Sequence, residues 1–144
     1  MTVMESWVSG TTDIHEAGVV AEERHWTSAC TRAHLLPGRG VAVLLRGGAQ
    51  AALFLLADGS LRAVGNIDPF GRAAVMSRGL VGDRGGEPTV ASPLLKQVFS
   101  LSDGRCLDGG GEGVRLPVYA VRVVAGRGDD VVQVCAIPTR EGSP

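Results

Sequence analysis

No stretch of this chain sustains a 3.6-residue apolar period, and that limits its fold more than any other feature. From Arg24 onward it reads instead as short strands cut by turns: RHWTSAC alternates, VAVLLR and AALFLLA are apolar runs of the buried kind, and SLRAVGN alternates again. Asp58-Gly59, between the last two, predicts a two-residue hairpin with positive φ at both turn positions. Asp103-Gly104 predicts the same between QVFSL and RCL, and a hairpin over Gly126 to Asp130 joins RLPVYAVRVV to VVQVCAI. TRAHLLPG has room for one helical turn before Pro37. The expected fold class is all-β.

The 144 residues suffice for one domain that buries its own core without metal or disulfide staples. A formal net charge of -1 supports neither a nucleic-acid surface nor a disordered acidic tail. Basic charge is almost wholly Arg, with Lys96 the one lysine, which is read as codon bias. The longest apolar run, Ala51 to Ala57, is far short of the roughly 20 residues that cross a bilayer. The N-terminal stretch has neither a basic start nor a continuous apolar segment, so a cytoplasmic protein is expected. Cys30, Cys106 and Cys135 are odd in number and widely spaced, and are read as small buried hydrophobes.

Residues 1–22 are expected to form a mobile tail with Trp7 as its one anchor, residues 23–138 the domain, and 139–144 a C-terminal tail. Within the domain, Asp68 to Pro93 is rich in Gly, Arg and Asp. A segment of this length inside a compact domain is functional or carries short strands of its own, so a projecting subdomain is expected over about residues 66–95.

Familiar catalytic patterns are missing. Asp68, Asp83 and Glu87 are not spaced to pair with His25 or His34, and no G-x-S-x-G or H-E-x-x-H occurs. The glycines of GLVGDRGG precede no G-K-[ST] and read as turn residues. Asn66 and Asp68 suit a hard cation by chemistry, but a full oxygen cage needs about six ligands or more. Asp68 is better read as folding back on local amides in an Asx-turn at Pro69.

Two corners, Asn66-Ile67-Asp68 and Ser92-Pro93-Leu94-Leu95, gain meaning when taken together. The strand–turn–strand order around them resembles the Rieske-type domains, in which C-x-H and C-x-x-H loops hold a [2Fe–2S] cluster. Here Asn66, Asp68, Ser92 and Leu95 stand in those frames. Rieske iron needs two thiolates and two imidazoles, which these four side chains do not supply. The strings NIDPF, SRGLVGD, GEPTVASPLLKQVFSL, GRCLD and LPVYAVRV, in that order, are similar to the small subunits of assimilatory NAD(P)H-dependent nitrite reductases. They cover about residues 66–123, and the looser strand pattern reaches back to Arg24.

That resemblance implies a Rieske-like antiparallel sandwich or barrel without a cofactor, metal or active site of its own. It also implies a large-subunit partner carrying FAD, sirohaem and a [4Fe–4S] cluster, which reduces nitrite to ammonium. Asp68, Pro69, Arg78 and Asp83 are expected to brace the empty tip, with Arg84 and Glu87 supplying further charges. Phe70, Leu94, Leu95 and Lys96 are expected to meet the partner, and Leu95 either fills the volume of the lost cluster or stands exposed as an anchor. Two alternatives remain at this stage: a free-standing Rieske-like module binding another oxidoreductase, and a [2Fe–2S] electron carrier.

Overall fold

The computed structural model describes residues 23–109 and 112–143, so the expected tail and Trp7 lie outside the described residues. The elements are β1 (Trp26–Thr31), β2 (Gly40–Leu44), β3 (Gln50–Leu55), β4 (Leu61–Gly65), β5 (Leu80–Arg84), β6 (Glu87–Ala91), β7 (Val98–Ser100), β8 (Val118–Val124) and β9 (Val131–Arg140). Two 3-10 turns, Arg32–His34 and Met76–Arg78, interrupt them. Antiparallel pairing gives a six-stranded sheet in the order β1-β9-β8-β4-β3-β2 and a three-stranded sheet β5-β6-β7. The large sheet curls towards a barrel. Its two edge strands meet where the Arg46 N–H donates to Thr27 Oγ1 and the Arg46 guanidinium to the Trp26 carbonyl, both at 3.3 Å.

The continuous apolar run of β3 finds its reason here. Alternate residues of a strand point to opposite faces, so an uninterrupted run fits only a strand covered on both. Ala51 and Leu53 pack inside the barrel with Val43, Ala63, Val132 and Val134. Ala52 and Phe54 point the other way, onto Val64, Met76, Val90, Phe99 and Leu101, and so form the seam between barrel and small sheet. All four β3 residues have no exposed surface.

The turn chemistry differs from the expectation. At β3–β4 only Gly59 takes positive φ (89°); Leu56 N–H donates to Ser60 O and Gly59 N–H to Leu56 O, which makes a three-residue loop. Asp58 stays in the ordinary region because its Oδ1 accepts from both the Ser60 N–H and Oγ–H. The loop at Asp103-Gly104 likewise has positive φ only at its glycine (82°) and closes from Ser100 to Arg105. The two-residue turn with positive φ at both positions is instead Gly85-Gly86, joining β5 to β6. The small sheet accordingly extends to Ser100, beyond the subdomain's expected end at residue 95.

The C-terminal end is not a tail from residue 139. β9 continues to Arg140 because Val118 still pairs with it, and Ser143 then exchanges hydrogen bonds with the Arg115 backbone at 3.0–3.1 Å. The three cysteines are half-buried and free, and burial pushes the Cys30 thiol above its ordinary pKa.

Gly104 tests the packing. A Cβ there would lie 2.1 Å from Leu116 O, whereas one on Gly85 would meet nothing within 4 Å. Left-handed backbone costs a non-glycine residue about 1–2 kcal/mol. Gly85→Ala should lose about that much, and Gly104→Ala distinctly more, because Leu116 must also move. Thermal denaturation of both variants checks the order; equal melting temperatures would refute the close approach.

Candidate functional site

At one end of the molecule β4 runs out into residues 66–75 and β6 into residues 92–97, and these two loops form a tip. Each loop closes on itself in the same way. Asp68 Oδ1 accepts from the N–H groups of Phe70 (2.8 Å) and Gly71 (3.1 Å), and its carbonyl accepts from Arg72 N–H at 2.7 Å. Ser92 Oγ accepts from Leu94 N–H at 3.2 Å, and its carbonyl accepts from Lys96 N–H at 3.0 Å. The loops are then joined directly: Ser92 Oγ–H donates to Asp68 Oδ2. Asp68 and Ser92 are both buried.

Asn66 anchors the base of the first loop. Its Oδ1 accepts from Ser77 N–H at 2.7 Å, and its Nδ2 donates to Gln50 Oε1 at 3.2 Å. Its backbone pairs with Gln50 O and Met76 N–H, so the amide reads both sides of the loop exit. Phe70 lies on the inter-sheet core, its ring 6.2 Å from that of Phe99 and tilted by 40°. A Cβ on Gly71 would lie 2.7 Å from Leu94 Cδ1, so the loops touch at that glycine as well.

Leu95 is 56% exposed, so it does not fill interior volume. Leu94, Ile67 and Lys96 are exposed as well.

The expected brace is corrected. Among the described residues Arg78 and Asp83 make no ion pair with each other or with Arg84 and Glu87. Asp83 instead accepts from Gly86 N–H within its own hairpin, which stiffens the Gly85-Gly86 turn. Arg84 reaches Asp108 at 3.2 Å, and Glu87 binds Arg105 at 3.1 Å, so these charges tie the small sheet to residues 103–108. Arg105 also pairs with Asp103. Partial burial raises the Asp103 carboxyl, but the Arg105 N–H and guanidinium outweigh it and hold the group below its ordinary pKa. Gln50 and Ser77, which hold Asn66, were not marked by any sequence pattern.

A [2Fe–2S] cluster of the Rieske kind does not fit these residues. The tip offers an amide, a carboxylate, a hydroxyl and an alkyl chain, and the first three are committed to Gln50, Ser77, Phe70, Gly71 and one another. Cys30 and Cys135 sit in barrel strands β1 and β9, and Cys106 opposite Phe99 of β7. Among the described residues no group of three or more His, Cys, Asp or Glu side chains is placed to hold a metal ion, and no helix is long and apolar enough to cross a membrane.

Residues 25–134 match the family of Rieske-like [2Fe-2S] domains, in agreement with the two-sheet fold and its tip. Over 84 residues the chain is 48% identical to the nitrite reductase (NADH) small subunit of Salmonella typhimurium, covering 58% of this chain and 77% of that protein. A crystal structure of a protein from Mycobacterium tuberculosis, described as an NADH-dependent nitrite reductase small subunit, is 57% identical. It superposes with a TM-score of 0.71 over 78% of this chain and 95% of the other. The chain belongs to the Rieske-like small-subunit family of nitrite reductases. A further match, 42% identical over 104 residues, falls within the nitrite reductase [NAD(P)H] large subunit of Klebsiella oxytoca, covering 72% of this chain and 10% of that protein.

Two outcomes are expected from this geometry. A hydrogen bond to a charged acceptor contributes about 1.5–3 kcal/mol. Asp68→Asn and Ser92→Ala should therefore each lower stability, and the double variant should lose clearly less than the sum of the two, while Arg78→Ala and Asp83→Ala should add. Urea unfolding of the six variants decides, and additivity at Asp68 and Ser92 would remove the bond as the link between the loops. The second outcome concerns acid. A carboxyl with a depressed folded pKa contributes stability that is present above its unfolded pKa and is lost as pH falls through its folded one. Asp103→Asn should thus flatten the acid limb of the stability curve, measured as urea midpoints against pH.

Proposed function

We propose that this chain is the cluster-free small subunit of a cytoplasmic nitrite reductase and that it docks by its tip on the large subunit. The observation that carries this reading is the Klebsiella oxytoca match, in which a segment like this chain lies inside a large-subunit polypeptide. One domain found both as a separate small subunit and as part of a large subunit is best explained by a working position against that large subunit. The large subunit would carry FAD, sirohaem and a [4Fe–4S] cluster and reduce nitrite to ammonium with electrons from NAD(P)H. The small subunit would add no redox centre and no catalytic group.

The tip suits docking because Ile67, Leu94 and Leu95 are exposed over a rigid, hydrogen-bonded base. A firm base keeps the ordering cost of association low. Phe70 contributes from beneath, as support, since it packs on Phe99. Lys96 is exposed in the same loop as Leu94 and Leu95.

Co-expression with the large subunit encoded in the same genome should give a stable complex with NAD(P)H-dependent nitrite reduction. The isolated chain, purified anaerobically, should contain neither stoichiometric iron nor sulfide. Leu95→Ala should leave the melting temperature nearly unchanged and weaken association by about 2 kcal/mol, roughly thirtyfold, if Leu95 is a central anchor. Phe70→Ala should lower the melting temperature as well. Iron and sulfide in the chain, or a Leu95→Ala variant that binds like the parent, would contradict the reading.

A further inference from the structure

The described residues include two non-glycine residues with positive φ, Arg72 at 63° and Lys96 at 64°. They hold the same place in the two tip loops. Each donates its N–H to the carbonyl four residues earlier, Asp68 and Ser92, the pair that stitches the loops together. Each is exposed. Left-handed backbone is easy for glycine and strained for long side chains, and such strain gathers where a side chain is needed for function. Glycine would close both turns more readily, yet both positions carry a cation.

The charge around them is one-sided. Residues 66–78 and 92–97 contain Arg72, Arg78 and Lys96, and their one acidic group, Asp68, is buried. Among the described residues none of the three cations takes part in an ion pair. The chain as a whole carries -1, so this end is cationic against the balance of the molecule. The same two loops expose Ile67, Leu94 and Leu95.

We infer that the tip is built for a protein surface with an apolar recess rimmed by carboxylates, and that Arg72 and Lys96 are the residues that select it. This rests on the docking reading above and adds the chemistry of the partner's face. A second copy of this chain is the poorer occupant, because two such tips would set like charges against each other.

The test uses the full-length chain and the large subunit of the same organism. Affinity should fall at least about tenfold between roughly 50 and 500 mM salt, and Arg72→Glu and Lys96→Glu should each weaken binding about tenfold or more at low salt. Arg127→Glu is the control. Arg127 is an exposed cation in the β8–β9 turn; β8 begins beside the tip-proximal end of β4 and runs away from it, so that turn lies at the opposite end. Arg72→Gly and Lys96→Gly give the sharper readout: the melting temperature should rise as the strain is relieved while affinity falls. A residue retained only to shape the loop would show no such opposition.

If binding ignores salt and all four tip variants while Leu95→Ala still weakens it, the carboxylate rim is wrong and tip docking stands. Equal losses from Arg127→Glu and Arg72→Glu would reduce the effect to general charge and overturn the inference. Tip-dependent dimers of the isolated chain in sedimentation would replace the acidic partner with a second copy. Failure of the parent chain to bind the large subunit would overturn the docking reading and this inference together.

Discussion

Strand β3 belongs to two cores at once, and the remaining architecture follows from that double burial. Ala51 and Leu53 complete the barrel interior, while Ala52 and Phe54 form the floor on which the small sheet rests. A strand exposed on one face would have left the small sheet without that floor, and the ion pairs of Arg84 and Glu87, a quarter to a half exposed, reach only residues 103–108, which themselves pair with β7. Such pairs contribute little. The apolar seam from Phe54 through Val90 and Phe99 to Phe70 carries the load instead, and it ends directly beneath the tip. The position of the tip is thus set by packing, and its fine structure by hydrogen bonds.

That division explains how a fold associated with a metal cluster can keep its shape without one. A cluster cross-links two loops through ligand bonds. Here the Asp68 carboxylate takes over the cross-link, bonding to its own loop through two N–H groups and to the other through the Ser92 hydroxyl. One buried carboxylate with three donors satisfies the local backbone and joins the loops in the same atoms. Its effect is mechanical, and it leaves the outward side chains free to serve as a surface.

The strands were legible because burial on one face or two leaves a period in the sequence that needs no tertiary knowledge, as in RHWTSAC against AALFLLA. The two corners were legible from their spacing and from the resemblance they carry. Turn type was not: Asp58-Gly59 and Gly85-Gly86 both read as turns, and only Ser60, placed to satisfy Asp58, and the strand registers decide which one takes positive φ twice. Nor were the ion pairs. Arg78, Asp83, Arg84 and Glu87 are close in sequence, but β5 and β6 form a hairpin whose charged side chains look outward to residues 103–108, which sequence distance hides. The end of β9 was missed because polar Thr139 and Arg140 carry no strand signal; their place is fixed by Val118 across the ladder.

Arg72 and Lys96 are what favour the proposed docking role of the tip over a mere remnant. Loss of a cluster removes the need for its ligands, and the simplest relaxed outcome is two tight turns with glycine in the left-handed positions. The structure has the tight turns, closed by the same carbonyl-to-amide bond in both loops, but it sets its strain on two exposed cations. Strain at one position has many explanations. Strain at matching positions of two loops, with the same charge and on loops that also expose Ile67, Leu94 and Leu95, is economically explained by a surface that must present that pattern to something else. The Asp68–Ser92 bond fixes the distance between the loops, the seam below fixes their height, and the left-handed residues fix where the charges emerge.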